Sequence, residues 1–272
     1  MTQPFGLCNP GCRCWFNAAF QAWCSAGRSL RKEGIDPPLA PTPYCKTLSD
    51  ATYGVSQDRA DAFFAEFSRW FFAANPQEAA SQHDPVAAFC AIPAHTEENN
   101  LRVQFLGLTT RGVTCSRCHS HVVTHFPEPV YSCSDTDVLG TAEGLSSHVQ
   151  GIPAATQTVT GVEIPRCNCP RSTTQILKET RRLPRILVLA INSWEPSPAK
   201  AALPRVFSTP THTHTLIAAI CKSGPPSGGH CWAYVAAPNG WWRCNDTSVS
   251  AASNLDNYVI AGIYARTSKI QK

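Results

Sequence analysis

Gly6-Leu7-Cys8-Asn9-Pro10-Gly11-Cys12-Arg13-Cys14-Trp15-Phe16-Asn17 stands near the start of the chain. Near its end stands Gly228-Gly229-His230-Cys231-Trp232-Ala233-Tyr234-Val235, followed by Trp241-Trp242-Arg243-Cys244-Asn245-Asp246. Together these stretches supply the four groups that thiol chemistry requires. Cys14 is the candidate nucleophile and His230 the base that takes its proton. Asn245 or Asp246 is placed to fix the imidazole tautomer. Asn9 is the candidate donor to a developing oxyanion. From Cys14 to Ala26 the chain lacks proline and glycine and is rich in Ala, Phe and Trp, which predicts a buried helix. Asn9, Pro10 and Gly11 precede it as turn residues, and Gly27 follows as a stop signal. The thiol therefore falls at the helix N-terminus, where the macrodipole favours thiolate, and Arg13 adds a positive charge beside it. A cysteine in mid-helix would be inert.

The 272 residues allow one domain or two and a substantial core. Hydrophobic residues make up 43 % of the chain and charged ones 15 %, which excludes a disordered protein. No run of about 18 apolar residues predicts a transmembrane helix. Met1-Thr2-Gln3-Pro4-Phe5 lacks the basic and apolar regions of a signal peptide. The net charge of +4 is not clustered, which argues against a nucleic-acid partner. With 14 cysteines and no signal peptide, the chain is expected in the cytoplasm, where cysteines serve catalysis and metal binding.

Helices come first. Arg59 to Ala74 carries a wide aromatic face, with Phe63, Phe64, Phe67, Trp70 and Phe71. Asp84 to Cys90 reads as a short helix with Pro85 at its first position. Strands are expected at Leu101–Phe105, Gly112–Thr114, His121–Phe126 and Val130–Ser132, and a short helix at Gly140–Gly151. Arg185 to Asn192 is an apolar run suited to a central strand. Pro196 to Pro210 reads as a surface loop. Thr215–Cys221, Cys231–Ala236, Trp241–Asn245 and Tyr258–Arg266 complete a β-rich end, giving an α+β protein. Trp15 and Trp23 are expected in the core, and His212 and His214 on a solvated strand edge.

Cys115-Ser116-Arg117-Cys118 has the spacing of a metal knuckle, and Cys167-Asn168-Cys169 lies about fifty residues on. Antiparallel strands can bring the two pairs together around a tetrahedral, structural Zn²⁺ with no open position for reactive water. His119, His121 and Cys133 are reserve ligands.

These residues resemble the ubiquitin-specific proteases, papain-like deubiquitinating enzymes. Gly6, Leu7, Asn9, Gly11, Cys14, Trp15, Asn17 and Gln21 fill the family's cysteine box. Gly229, His230, Ala233, Tyr234, Val235, Trp241, Asn245 and Asp246 fill its histidine box. Gln82-His83-Asp84 resembles a segment whose acidic residue contacts the ubiquitin tail, although the glutamate expected after Asp84 is replaced by Pro85, Val86, Ala87 and Ala88. Phe105-Leu106-Gly107 resembles the entry to the family's fingers, and Leu183-Pro184-Arg185 the strand after the second cysteine pair. Cys12, Arg13 and Cys231 depart from the usual residues.

The resemblance implies one catalytic domain over residues 1–272. It implies a helical thumb to about residue 100, zinc-tied fingers over about 101–180 and a β-rich palm over about 181–272. It also implies a thiol hydrolase acting after the C-terminal Gly-Gly of ubiquitin or a ubiquitin-like modifier. Cys14, His230, Asn245, Asn9 and Asp246 would be catalytic, and Asp84, Gly228, Gly229 and Tyr234 would bind substrate. Cys115, Cys118, Cys167 and Cys169 would hold zinc. The short chain also suggests a compact viral member, like the papain-like proteases of arteriviruses, acting in the host cytoplasm. The alternatives are a polyprotein-processing protease, with or without deubiquitinase activity, and an inactive ubiquitin-binding module.

Overall fold

The computed structural model describes residues 4–34, 56–74, 76, 81–94, 104–133, 140–150, 157–170, 172–192, 195–225 and 228–269. Ile186-Leu187-Val188-Leu189-Ala190-Ile191 offers no polar side chain to water, and a strand of that kind must be covered on both faces. It forms β6 (Ile186–Ile191), buried along nearly its whole length. The strand belongs to an eight-stranded sheet. Its other members are β3 (Tyr131–Cys133), β7 (Val206–Ser208), β8 (His212–Ser223), β9 (His230–Ala237), β10 (Gly240–Asn245), β11 (Ser248–Ala252) and β12 (Val259–Lys269). The order is β11-β10-β9-β8-β12-β6-β3, with β7 paired to β8, and only β3–β6 is parallel among these pairings.

Alternation along the strands divides two cores. Cys231, Ala233 and Val235 of β9 face one cluster, and Trp232 and Tyr234 face the other. The first is dominated by α1 (Cys14–Lys32), whose residues from Cys14 to Gly27 are all buried. The helix lies between the sheet and two further helices, α2 (Gln57–Phe71) and α3 (Pro85–Ala94). Phe16 stacks on Phe20 and Phe63 at 5.7 and 5.9 Å, and Trp23 stacks on Phe105 at 5.0 Å. Aromatic pairs at these separations contribute beyond their buried area. The helix passes through Gly27 and ends at Glu33, whose N–H reaches Leu30 O. A helical glycine costs about 1 kcal/mol, and burying Leu30 on the extra turn offsets it.

A second sheet runs β2-β1-β5-β4, built from β1 (Gly107–Cys115), β2 (His121–Glu128), β4 (Gln157–Val159) and β5 (Gln175–Arg182). Its core is small: Val113, Cys115, Ile164 and Leu177. A short helix, α4 (Ala142–Gln150), packs Leu145 and Val149 into the second core.

Besides the helix stop expected at Gly27, three expectations are corrected. Pro196–Pro210 is not a surface loop. It folds into α5 (Pro198–Ala201) and β7, and buries Lys200, Leu203 and Phe207. His214 is not solvated. It is 1 % exposed, because β7 adds to β8 and lays Phe207 parallel to its ring at 5.0 Å. Gln104 and Phe105 are helical rather than extended; the rest of that expected strand, and the proline-rich stretch after α1, lie outside the described residues. Among the described residues no helix is long and apolar enough to cross a membrane.

Candidate active site

Cys14 is the first residue of α1. The turn before it is closed by Asn9, whose Oδ1 accepts the Arg13 N–H at 2.8 Å, and the Asn17 N–H then reaches Arg13 O at 2.9 Å to start the helix. Gly6 is required by close approach: a Cβ there would sit 2.3 Å from Thr247 O. The segment docks as an added edge, with the Leu7 N–H donating to Asp246 O at 2.8 Å. The thiol is thereby carried to the start of β9.

There the β8–β9 turn presents His230. Gly229 has φ +93°, and a Cβ on it would lie 1.9 Å from Ser223 O, so only glycine fits. His230 Nε2 bonds Asn245 Oδ1 on β10. That bond makes Nε2 the protonated nitrogen and leaves Nδ1 for the thiol. The Cys14 pKa is drawn down from the ordinary thiol range to about 6. The largest cause is a hydrogen bond from the Cys231 thiol. Burial opposes it, and the Cys231 backbone N–H and then His230 add to the lowering. Cys231 itself is pushed strongly upward, first by its bond to Cys14, so it remains the protonated donor of the pair. Gln82 covers the pair: its Nε2 donates to Cys14 Sγ at 3.2 Å and also bonds Gly229 O.

The remaining candidates fall in different places. Asp246 does not reach the imidazole. Its Oδ2 accepts from Asn9 Nδ2 at 3.0 Å and its Oδ1 from Asn17 Nδ2 at 2.8 Å, so it ties the Cys14 turn to β10. Asn9 is therefore held at both ends of its amide, with one of its two Nδ2 hydrogens left over. Arg13 does not charge the thiol's surroundings. Its guanidinium pairs with Asp61 of α2 at 2.8 Å and lies 3.9 Å over Phe64. Asp84 caps α3, accepting the Val86 N–H at 2.8 Å. Tyr234 is 5 % exposed, in the core opposite Cys14, and its hydroxyl donates to Asp256 at 3.1 Å. Gly228 lies beside the turn, its N–H on Pro225 O. Two further residues reach the thiol: Cys231, which stands where an aromatic is usual, and Gln82, which the resemblance places in the segment ahead of Asp84 without a role at the sulfur.

At the far end of β1, Cys115, Cys118, Cys167 and Cys169 place their sulfurs within 4.8 Å of one another. A tetrahedral zinc with Zn–S of ~2.3 Å requires S···S of about 3.8 Å, so the set fits a metal ion. The pairs sit on the β1–β2 turn and on the loop before β5. His119 and His121 are outside this group, and Cys133 is buried in the second core, packed among β6 neighbours.

A thiol with a lowered pKa at a helix start, an imidazole beside it and an amide that orients the ring are the groups that nucleophilic thiol chemistry requires. No family model matches the chain, and no curated protein matches it in sequence. Solved structures do. The SAGA DUB module of Ubp8, Sgf11, Sus1 and Sgf73 bound to monoubiquitin matches with a TM-score of 0.70 at 17 % identity, over 97 % of this chain and 69 % of that one. The same module bound to ubiquitin aldehyde matches with a TM-score of 0.69 at 16 % identity, over 97 % and 70 %. The chain thus has a mixed α/β fold similar to that of Ubp8. Neither match supports the viral placement.

Proposed function

We propose that the chain is a thiol-dependent ubiquitin hydrolase. The observation that carries this is the Cys14–His230–Asn245 alignment, with the thiol near pKa 6, on a fold shared with ubiquitin-bound modules. In this reading the α1–α3 layer is the thumb, the eight-stranded sheet the palm and the four-stranded sheet the fingers. Ubiquitin, or a ubiquitin-like modifier, rests on the last two and sends its tail into the cleft between α1 and β9.

Cys14 attacks the terminal glycine carbonyl as thiolate. Gln82, whose amide lies over the sulfur, moves aside as the tail enters. The oxyanion takes the free Asn9 hydrogen, and Asp246 acts as a positioning residue that fixes Asn9. His230 Nδ1, carrying the thiol's proton, delivers it to the leaving amine. Water activated by the same nitrogen then opens the thioester. Asn245 holds the ring through Nε2, without the full charge an aspartate would bring. Zinc on the four cysteines would tie β1 to the loop before β5, where the apolar core is too small to hold them, and take no part in the reaction. A reducing cytoplasmic setting suits the free thiols. The test is hydrolysis of a ubiquitin C-terminal fluorogenic amide beside a short peptide amide. The reading expects turnover of the first, abolished in Cys14→Ala. Turnover of the peptide alone would overturn it.

A further inference from the structure

A second site lies at the opposite end of β8 from His230. The end of β5, the β7–β8 turn and β12 enclose a cavity of about 460 Å³ with Gln150 of α4 at its edge. That is the size of small-ligand pockets, about 300–1,000 Å³. Three guanidiniums and two imidazoles line it, from Arg181, Arg182, Arg266, His212 and His214, with no carboxylate among the described lining residues. Arg181 is partly neutralised: it pairs at 3.0 Å with Glu179, which also takes Arg111 at 3.0 Å. Arg182 and Arg266 have no salt bridge among the described residues, although Arg266 feels the Glu33 carboxylate and the Arg185 guanidinium at longer range. His214 is 1 % exposed, and its Nδ1 is buried with no hydrogen-bond partner among the described residues. Burying a polar atom unpaired costs about 1–3 kcal/mol.

From this geometry we propose that the cavity binds a small phosphomonoester, its phosphate on Arg182, Arg266 and His214. Two guanidiniums without a salt bridge among the described residues suit the charge of a phosphomonoester, about −1.5 to −2 at pH 7. Their planar forks suit phosphate oxygens, which accept paired N–H bonds. Leu183 and Pro210 give the apolar wall for the body that carries the phosphate. The His214 pKa is pushed down to about 4, by burial first and then by repulsion from His212 and Arg266. An incoming dianion relieves that repulsion.

The proposal does not depend on the reading of Cys14, and its test is separate. The intact protein is titrated with phenyl phosphate, with benzoate and with chloride at matched ionic strength, following the melting temperature and the His214 ring resonances. Phenyl phosphate is expected to raise the melting temperature saturably, since it binds the folded state. The His214 resonances should move with the same saturation curve, while benzoate binds at least ~10-fold more weakly, about 1.4 kcal/mol. The double variant Arg182→Gln/Arg266→Gln should lose the response yet alkylate at Cys14 at the wild-type rate. No saturable response, or a response that survives the double variant or leaves His214 unmoved, would overturn the proposal.

Discussion

Replacing Cys231 by alanine removes the largest cause of the low Cys14 pKa while leaving His230, Asn245 and the helix start in place. With a midpoint of about 6, Cys14 is roughly nine-tenths thiolate at pH 7. A hydrogen bond to a charged group is worth about 1.5–3 kcal/mol, and one pKa unit is ~1.4 kcal/mol. Loss of the Cys231 donor should therefore raise the midpoint by about 1–2 units. The sign follows from the reactive form: a higher pKa moves the acid limb of the rate profile to higher pH. At pH 6 the thiolate fraction should fall from about half to roughly a tenth or less, and above pH 9 the two proteins should converge. The assay is the rate of alkylation by a neutral haloacetamide from pH 4 to pH 9. Cys231→Ser restores an O–H donor and should recover most of the depression. An acid limb that stays at the wild-type pH in Cys231→Ala would refute the reasoning.

Gly229→Ala should reduce turnover by about 10²-fold or more, because a Cβ 1.9 Å from Ser223 O displaces the strand that carries His230; steady-state kinetics on the folded variant check this. Asp246→Ala removes the carboxylate that accepts from Asn9 and Asn17 and should cost about 2–4 kcal/mol by chemical denaturation, with turnover falling as Asn9 loses its anchor. Trp23→Ala, at a wholly buried position, should cost about 3–5 kcal/mol in the same experiment. Elemental analysis should find about one zinc per chain, lost in Cys118→Ser. Chelation should strip hydrogen-exchange protection from β1, β2 and β5 while leaving α1 protected.

The start of α1, its burial and the His230–Asn245 pairing could be read from the chain because each is local. A turn before an apolar run, a glycine that only a tight turn needs, and residues fifteen apart on neighbouring strands all leave a mark in sequence. The four cysteines were legible for the same reason, as two short spacings. What escaped depends on neighbours distant in the chain. His214 alternates like an edge residue, and only the addition of β7, with Phe207 over its ring, buries it. Pro196–Pro210 is too short and too rich in proline to show a period, yet Leu203 and Phe207 find the second core. Ser248–Ala252 offers only Val249 and two alanines as an apolar signal, and it becomes a strand by pairing along β10. Arg13 sits beside Cys14 in sequence, but Asp61, forty-eight residues away, claims its charge. Cys231 departs from the usual aromatic, and only the fold shows its thiol as the donor that lowers the Cys14 pKa.

The most direct test of a ubiquitin-directed nucleophile at Cys14 is reaction with ubiquitin bearing a C-terminal electrophile, run beside Cys14→Ala and beside a matched probe built on another ubiquitin-like protein. The account predicts one covalent adduct on the wild-type chain, mapped to Cys14 and absent from the variant. Folded, zinc-loaded protein that forms no adduct with either probe would contradict it.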